Sequence, residues 1–341
     1  MTEPIIRADA ITHVVFERRE IEAMAQYLED FGFVDTGISL DRRRFFRGHG
    51  SRPYCVELIA AGRDRFIGFG FAAHSADDLE RLAEATGAAI EPVDAPGGGQ
   101  RVLLHDPDGV RVDVIHGAAP VAPLPVREAL SAVNTPTTAR RVNAPLRTEL
   151  APAPVFRIGH VVLQSTSFET TSSWYAHHLG LLRTDVLSIE DGSPALGFFR
   201  LDRGQEPTDH HSLALLAGSS PAMLHISTET IDLDAIGQGH QYLRARGWAH
   251  HWGIGRHLLG SQIFDYWKDP VGDEWEHYAD GDLMTADYPT GHDRLSRAGL
   301  WVWGDDLPDS MRPPGPLPVD APLTARGIVD ALLVPARPWL S

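Results

Sequence analysis

Short β-branched and aromatic runs alternate with amphipathic stretches, and the alternation occurs twice along the chain. Ile11-Thr-His13-Val-Val-Phe predicts a strand over 11–16. A helix over 19–31 follows, with Ile21, Met24, Ala25 and Leu28 at three- and four-residue spacing and Gly32 as its stop. After residue 155 the order recurs: Ile158-Gly-His160-Val-Val-Leu, a helix over 168–179, then Gly180-Leu. The ends of the halves also correspond. Asp106-Pro-Asp-Gly-Val-Arg-Val-Asp113 matches Asp269-Pro-Val-Gly-Asp-Glu-Trp-Glu276, each a tight turn running into a strand with an acidic residue four positions after the glycine.

Further strands are expected near 43–48, 54–60, 65–72, 89–94, 101–105 and 110–115, with a helix over 76–86. In the second half they are expected near 195–202, 212–217, 222–227, 249–257, 261–268 and 273–279, with a helix over 232–246. The pattern predicts an α+β protein of four βαβββ units in two pairs. Pro-rich sequence over 118–155 interrupts it, because proline removes backbone donors and breaks periodic structure. The expected organisation is an N-terminal domain over 1–117, a linker over 118–155 with a short helix at Val126–Val133, a C-terminal domain over 156–295 and a tail over 296–341.

The two halves differ in chemistry. Of 17 histidines, five precede residue 150 and twelve follow it, and all eight tryptophans lie in the second part. Only that half has the residues for metal and aromatic chemistry. The net charge of −16 argues against nonspecific binding to nucleic acid or an anionic membrane. No run reaches the roughly 20 apolar residues that cross a bilayer. A start without a basic-then-apolar signal and a single cysteine, Cys55, point to a reducing cytoplasm. Gly97-Gly-Gly reads as a hairpin loop rather than a phosphate cradle, since no Lys-Ser/Thr follows.

Three positions in the second half are candidates to converge: His160 on its first strand, His225 in Ala222-Met-Leu-His-Ile-Ser, and Glu276 on its last strand. Taken singly, a histidine on an apolar strand is usually a hydrogen-bonded core residue, and Glu276 in Trp-Glu-His-Tyr is open to a solvent-facing reading. Together, two imidazoles and one carboxylate form the facial triad of non-haem Fe(II) oxygenases, which leaves positions open for substrate and O2. The first half offers His13, a residue near Phe71, and Asp113. Phenylalanine cannot ligate, so that half lacks a complete set.

The segment Gly255-Arg-His257-Leu-Leu-Gly-Ser-Gln-Ile-Phe-Asp-Tyr266-Trp-Lys-Asp-Pro270-Val-Gly272-Asp-Glu-Trp-Glu276 resembles the signature of type I extradiol ring-cleavage dioxygenases, catechol 2,3-dioxygenase-like members of the vicinal oxygen chelate superfamily. That signature has Gly-x-His, then an apolar residue before Tyr, then Pro-x-Gly, then Glu; here Asp265 replaces the apolar residue. The resemblance spans roughly residues 8–290. It implies the vicinal oxygen chelate (glyoxalase/bleomycin resistance-like) fold, with metal only in the C-terminal domain. It implies Fe(II), with Mn(II) accepted by the same donors, held by His160, His225 and Glu276. It places His257 and Tyr266 beside substrate and oxygen, and His211 as the acid/base. The adjacent His210 competes for that last role; strand alternation would turn only one of the pair inward, and Ser212-Leu-Ala-Leu reads as the family's strand, which favours His211.

The activity implied is Fe(II)-dependent cleavage of a catechol- or hydroquinone-type ring with O2, incorporating both oxygen atoms, in aromatic catabolism. The implied partners are the aromatic diol, O2 and further copies of the chain as a homo-oligomer. Histidine suits the acid/base role because it titrates near neutrality. Trp301 and Trp303 make the tail a candidate cover for the site mouth. Alternatives within the superfamily are a hydroxyphenylpyruvate dioxygenase-like or glyoxalase-like metalloenzyme; outside enzymes, a small-molecule binding or resistance protein of the same fold.

Overall fold

The computed structural model describes residues 3–129, 133–147, 149–312 and 315–335. The chain builds four βαβββ units. The first comprises β1 (Ala8–Arg18), α1 (Ile21–Phe31), β2 (Val34–Leu40), β3 (Arg43–Arg47) and β4 (Val56–Ala60). The second comprises β5 (Arg65–Ala73), α2 (Ala76–Thr86), β6 (Ile90–Pro92), β7 (Gln100–His105) and β8 (Arg111–His116). The third comprises β9 (Arg157–Ser165), α3 (Phe168–Leu179), β10 (Leu182–Ser188), β11 (Pro194–Arg200), the two-residue β12 (Thr208–Asp209) and β13 (Leu213–Ala217). The fourth comprises β14 (Ala222–Glu229), α4 (Leu233–Arg246), β15 (Ala249–Arg256), β16 (Ile263–Lys268) and β17 (Glu274–Ala279). The short β18 (Leu283–Met284) and β19 (Gly291–Arg294) follow, then α5 (Leu323–Leu333).

The α+β expectation of four such units holds, but β2 and β10 were absent from the sequence reading. Val34-Asp-Thr-Gly-Ile-Ser-Leu shows four of its seven positions only partly buried and three exposed, so it lacks the alternating signal of a half-buried strand. The helix expected at Val126–Val133 is absent over 126–129; residues 130–132 lie outside the described residues.

Within each half, two units join edge to edge. The strand orders are β2-β3-β4-β1-β5-β8-β7-β6 and β15-β16-β17-β14-β9-β13-β11-β10-β19. The seams are the antiparallel pairs β1·β5 and β9·β14, each flanked by parallel partners. The halves share a core. Phe31 stacks on His277 at 3.8 Å, Tyr27 meets Trp248 edge-on at 5.0 Å, and Phe16 approaches Trp275 at 5.5 Å.

The two Asp-Pro turns lock this arrangement reciprocally. Tyr175 donates to Asp106 at 3.0 Å, and Arg18 donates to Asp269 at 3.0 Å and Asp273 at 2.5 Å. The stop at Gly32 is compulsory: its φ is +113°, and a Cβ there would lie 1.7 Å from the Ala153 carbonyl oxygen. The Pro-rich segment lies against both halves, with Leu124 N–H donating to His49 O and Arg127 paired to Asp232. No helix among the described residues is long and apolar enough to cross a membrane.

Candidate active site

Strand register assembles the site. β17, β14 and β9 are neighbours, and Ser227 on β14 is opposite both His160 on β9 and Glu276 on β17. His225 lies two residues before Ser227, on the same sheet face. The three side chains converge: His160 Nε2 is 3.4 Å from His225 Nε2 and 3.2 Å from Glu276 Oε2, and His225 Nε2 is 3.6 Å from the same oxygen.

Glu276 is fully buried, yet neither of its oxygens has a hydrogen-bond partner. An ionised carboxylate in that state is costly unless a cation sits beside it. Burial would raise its carboxyl, but the facing imidazoles, His160 foremost, hold it well below the usual carboxylate range. Burial pushes His225 down to about 3, so its imidazole is neutral with a free lone pair. Metal–ligand bonds of about 2.1 Å put adjacent donors roughly 3 Å apart, close to these separations. The donor set therefore fits a divalent metal.

His257 and Tyr266 form the second part of the site. His257 Nδ1 is 2.8 Å from the Leu300 carbonyl oxygen, which only accepts, so Nδ1 carries the proton. Its Nε2 then accepts from the Tyr266 hydroxyl at 3.0 Å and stands 3.4 Å from Glu276 Oε1. Burial and the Glu276 charge push the Tyr266 phenol well above its ordinary value, so it remains a donor.

His211 also faces the cavity, with its ring 4.0 Å from that of His160. The alternation argument does not apply to His210 and His211, which precede β13 in an irregular turn. Both are buried. His210 Nε2 meets the Asp185 carboxylate at 2.6 Å, and its Nδ1 is 3.0 Å from His211 Nδ1. Asp185 accepts the Nε2 proton, so His210 Nδ1 accepts from His211 and leaves His211 Nε2 unprotonated. Burial, with His160 and His210 nearby, pushes His211 well below the usual imidazole value. Sequence reasoning missed Asp185, which lies on the unpredicted β10.

A cavity of about 170 Å³ opens beside the triad, walled by Val162, Leu196, Phe198, Trp252, Leu307 and Met311 among others. Gly299, Leu300, Leu307 and Met311 reach it from the chain beyond β19. Trp301 is buried, and its ring packs edge-on to Trp252 at 6.1 Å; Trp303, by contrast, is exposed. Trp174 stacks on His178 and Tyr175 lies in the core, both away from the cavity.

The N-terminal half corrects one sequence inference. Register places Gly68, not Phe71, at the position equivalent to His225: Gly68 pairs with Arg111 and Gly70 with Asp113, as His225 pairs with Glu274 and Ser227 with Glu276. Gly68 has no room for any side chain, since a Cβ would lie 2.0 Å from the Arg111 carbonyl oxygen. Phe71 belongs to the core. Asp113 is 3.4 Å from His13 and receives Arg111 through two bonds of 2.9 and 2.5 Å.

Residues 157–277 match the family described as "Glyoxalase/Bleomycin resistance protein/Dioxygenase superfamily". The chain has the vicinal oxygen chelate fold. It is 27% identical over 317 residues to Metapyrocatechase 2 of Cupriavidus necator, covering 88% of this chain and 90% of that protein. Its fold is similar to the Mn(II)-bound glyoxalase of Novosphingobium aromaticivorans, at 23% identity and a TM-score of 0.73, covering 91% and 95% of the two chains. It is similar also to homoprotocatechuate 2,3-dioxygenase of Brevibacterium fuscum in complex with 3,4-dihydroxyphenylacetate, at 16% identity and a TM-score of 0.72, covering 91% and 93%. These likenesses bear out the resemblance read from the sequence.

Proposed function

We propose that the protein is an Fe(II)-dependent extradiol dioxygenase that opens single-ring catechols bearing no charged substituent. The observation that carries this reading is the fully buried, unpartnered Glu276 carboxylate facing two imidazole Nε2 atoms at the wall of an apolar cavity. His160, His225 and Glu276 would hold the metal, which supplies two-point binding of the diol, a lowered pKa for its hydroxyls and a site for O2. The chain's own residues do the rest. When substrate is bound, Tyr266 turns its single hydroxyl proton from His257 Nε2 toward a substrate oxygen, and His257, its Nδ1–H held by Leu300, borders the oxygen side. His211 Nε2 takes a proton from the diol and returns it as the ring opens. Asp185 and His210 hold His211 in the tautomer that allows this. Val162, Phe198, Trp252 and Leu307 keep water away. The volume supports one ring: an apolar cavity of about 150 Å³ accommodates benzene.

The test is O2 uptake and yellow ring-opened product with a catechol panel, after anaerobic loading with Fe(II) or with Mn(II). Fe(II)-loaded protein that consumes no O2 with any vicinal diol defeats the reading. Glu276→Gln should abolish both Fe(II) retention at the His160–His225–Glu276 triad and O2 uptake. The Mn(II)-bound glyoxalase neighbour motivates a second arm: isomerisation of a ketoaldehyde–thiol adduct without O2 uptake would favour the glyoxalase-like alternative.

A further inference from the structure

Asp265 is the one departure from the signature, and its environment is not that of a substituted apolar residue. On β16 it alternates with Tyr266, so it faces α4, on the side of the sheet away from the cavity. It is fully buried. His240 on α4 and His250 on β15 both aim a ring nitrogen at it: His250 Nε2 is 2.9 Å from Oδ1, and His240 Nδ1 is 3.1 Å from Oδ2. The imidazole rings lie 4.7 Å apart at 73°, and the three donor atoms all fall within 4.8 Å of one another.

We propose that His240, His250 and Asp265 form a second divalent-cation site, of the Zn(II) class, clamping α4 to the β15–β16 hairpin. Two imidazoles and one carboxylate suit a borderline ion, and three protein ligands leave a fourth, tetrahedral position for water. Water has access, because the side chains of His240 and His250 are 17% and 27% exposed. The Trp267 indole N–H donates to Asp265 Oδ2 at 2.6 Å, the kind of outer contact that orients a ligating carboxylate. This site shares no residue with the triad. Its ion would brace the hairpin whose other face carries Trp252 and Tyr266.

The experiment is anaerobic Co(II) titration of metal-stripped protein, followed by absorption spectroscopy and elemental analysis after desalting. The wild type should bind two equivalents, one with the intense visible bands of four-coordinate cobalt. Glu276→Gln should retain that chromophore alone. His250→Ala should lose it and keep the other equivalent; His240→Ala, also partly exposed, should behave the same way and guards against misfolding of a single variant. Adding Zn(II) should raise the melting temperature of Glu276→Gln but not that of Glu276→Gln/His250→Ala. One equivalent in the wild type that vanishes in Glu276→Gln overturns the proposal, as does a His250→Ala titration identical to wild type. Either result leaves the three hydrogen-bonded groups as a purely structural cluster. The triad is read by Glu276→Gln and the new site by His250→Ala, so the two readings fail separately.

Discussion

A carboxylate on the substrate should be rejected by this cavity. Among the described residues, those that line it include no lysine, arginine, aspartate or glutamate, and beyond four histidines and Tyr266 the polar side chain is Gln262. An ionised substituent entering it would lose water with no cation to receive it. The effective cost of burying an unpaired charge is several kcal/mol after relaxation. Taking about 3 kcal/mol as the part that survives partial exposure at the mouth, kcat/KM should fall by roughly 100-fold. The comparison is 4-methylcatechol against 3,4-dihydroxyphenylacetate, which have the same diol and the same ring position substituted. The assay is initial O2 uptake with the Fe(II)-loaded enzyme at pH 7.5, checked by product absorbance. Met311→Arg, which puts a guanidinium on the cavity wall, should narrow the ratio about tenfold by improving the acid. A ratio within threefold for the wild type would refute the argument, because it would require a cationic partner that the lining does not contain.

Tyr266→Phe should retain metal but lose about three- to tenfold in kcat/KM, the worth of one neutral hydrogen bond, with stopped-flow substrate binding separating affinity from turnover. His210→Phe should lower kcat more than it raises KM, because it removes the acceptor that fixes His211; steady-state kinetics with equal metal content would show the split, and an unchanged kcat would sink the role. His277 gives a pH dependence of stability. Burial lowers it to about 4, so between about pH 6.5 and 4 the unfolded chain binds a proton that the native chain does not. Stability is therefore lost on acidification through that window, by up to about 3 kcal/mol. Urea titrations at pH 7.5 and 5.0 should show a shallower pH slope for His277→Phe than for wild type, and equal slopes would count against it.

What the sequence made legible followed from repetition and from a long motif. The recurrence of strand, helix and glycine at residues 11–33 and 158–181 revealed the duplicated architecture because each unit needs the same stop. Gly32 and Gly180 both end their helices in the left-handed region, at φ +113° and +71°. The triad was readable because His160 and His225 lie in runs with β-branched residues and Glu276 follows the Asp-Pro-Val-Gly turn that opens β17. The misses share a cause. β2 and β10 have mixed burial, so no periodicity marks them. Asp185 on β10 was invisible for the same reason, and its contact with His210 spans 25 residues. Asp265 stood out as a deviation, but only the fold brings His240 and His250 to it. The counterpart of His225 was misplaced from Gly68 to Phe71 because counting along a loosely matched repeat cannot see the bulges in the β1·β5 pairing.

The comparison of the halves explains why only one offers an open donor set for a metal. Both keep a histidine on the first strand and an acid on the last: His13 with Asp113, and His160 with Glu276. In the first half the β14 histidine is replaced by a glycine that leaves no space, and Arg111 and Arg101 bring guanidinium groups to the buried acid. Burial would raise Asp113, yet His13 and Arg111 hold it far below the usual range, so its charge is satisfied without a metal. In the second half no arginine pairs with Glu276 among the described residues; its neighbours are neutral-capable imidazoles. A guanidinium fills its carboxylate's coordination with fixed hydrogen bonds, whereas imidazole lone pairs leave both carboxylate and nitrogen able to bind a cation. The same scaffold thus yields a closed ion pair in one half and an open donor set in the other, through the residue two positions before the acid and the one facing it: Arg111 and Gly68 against Glu274 and His225.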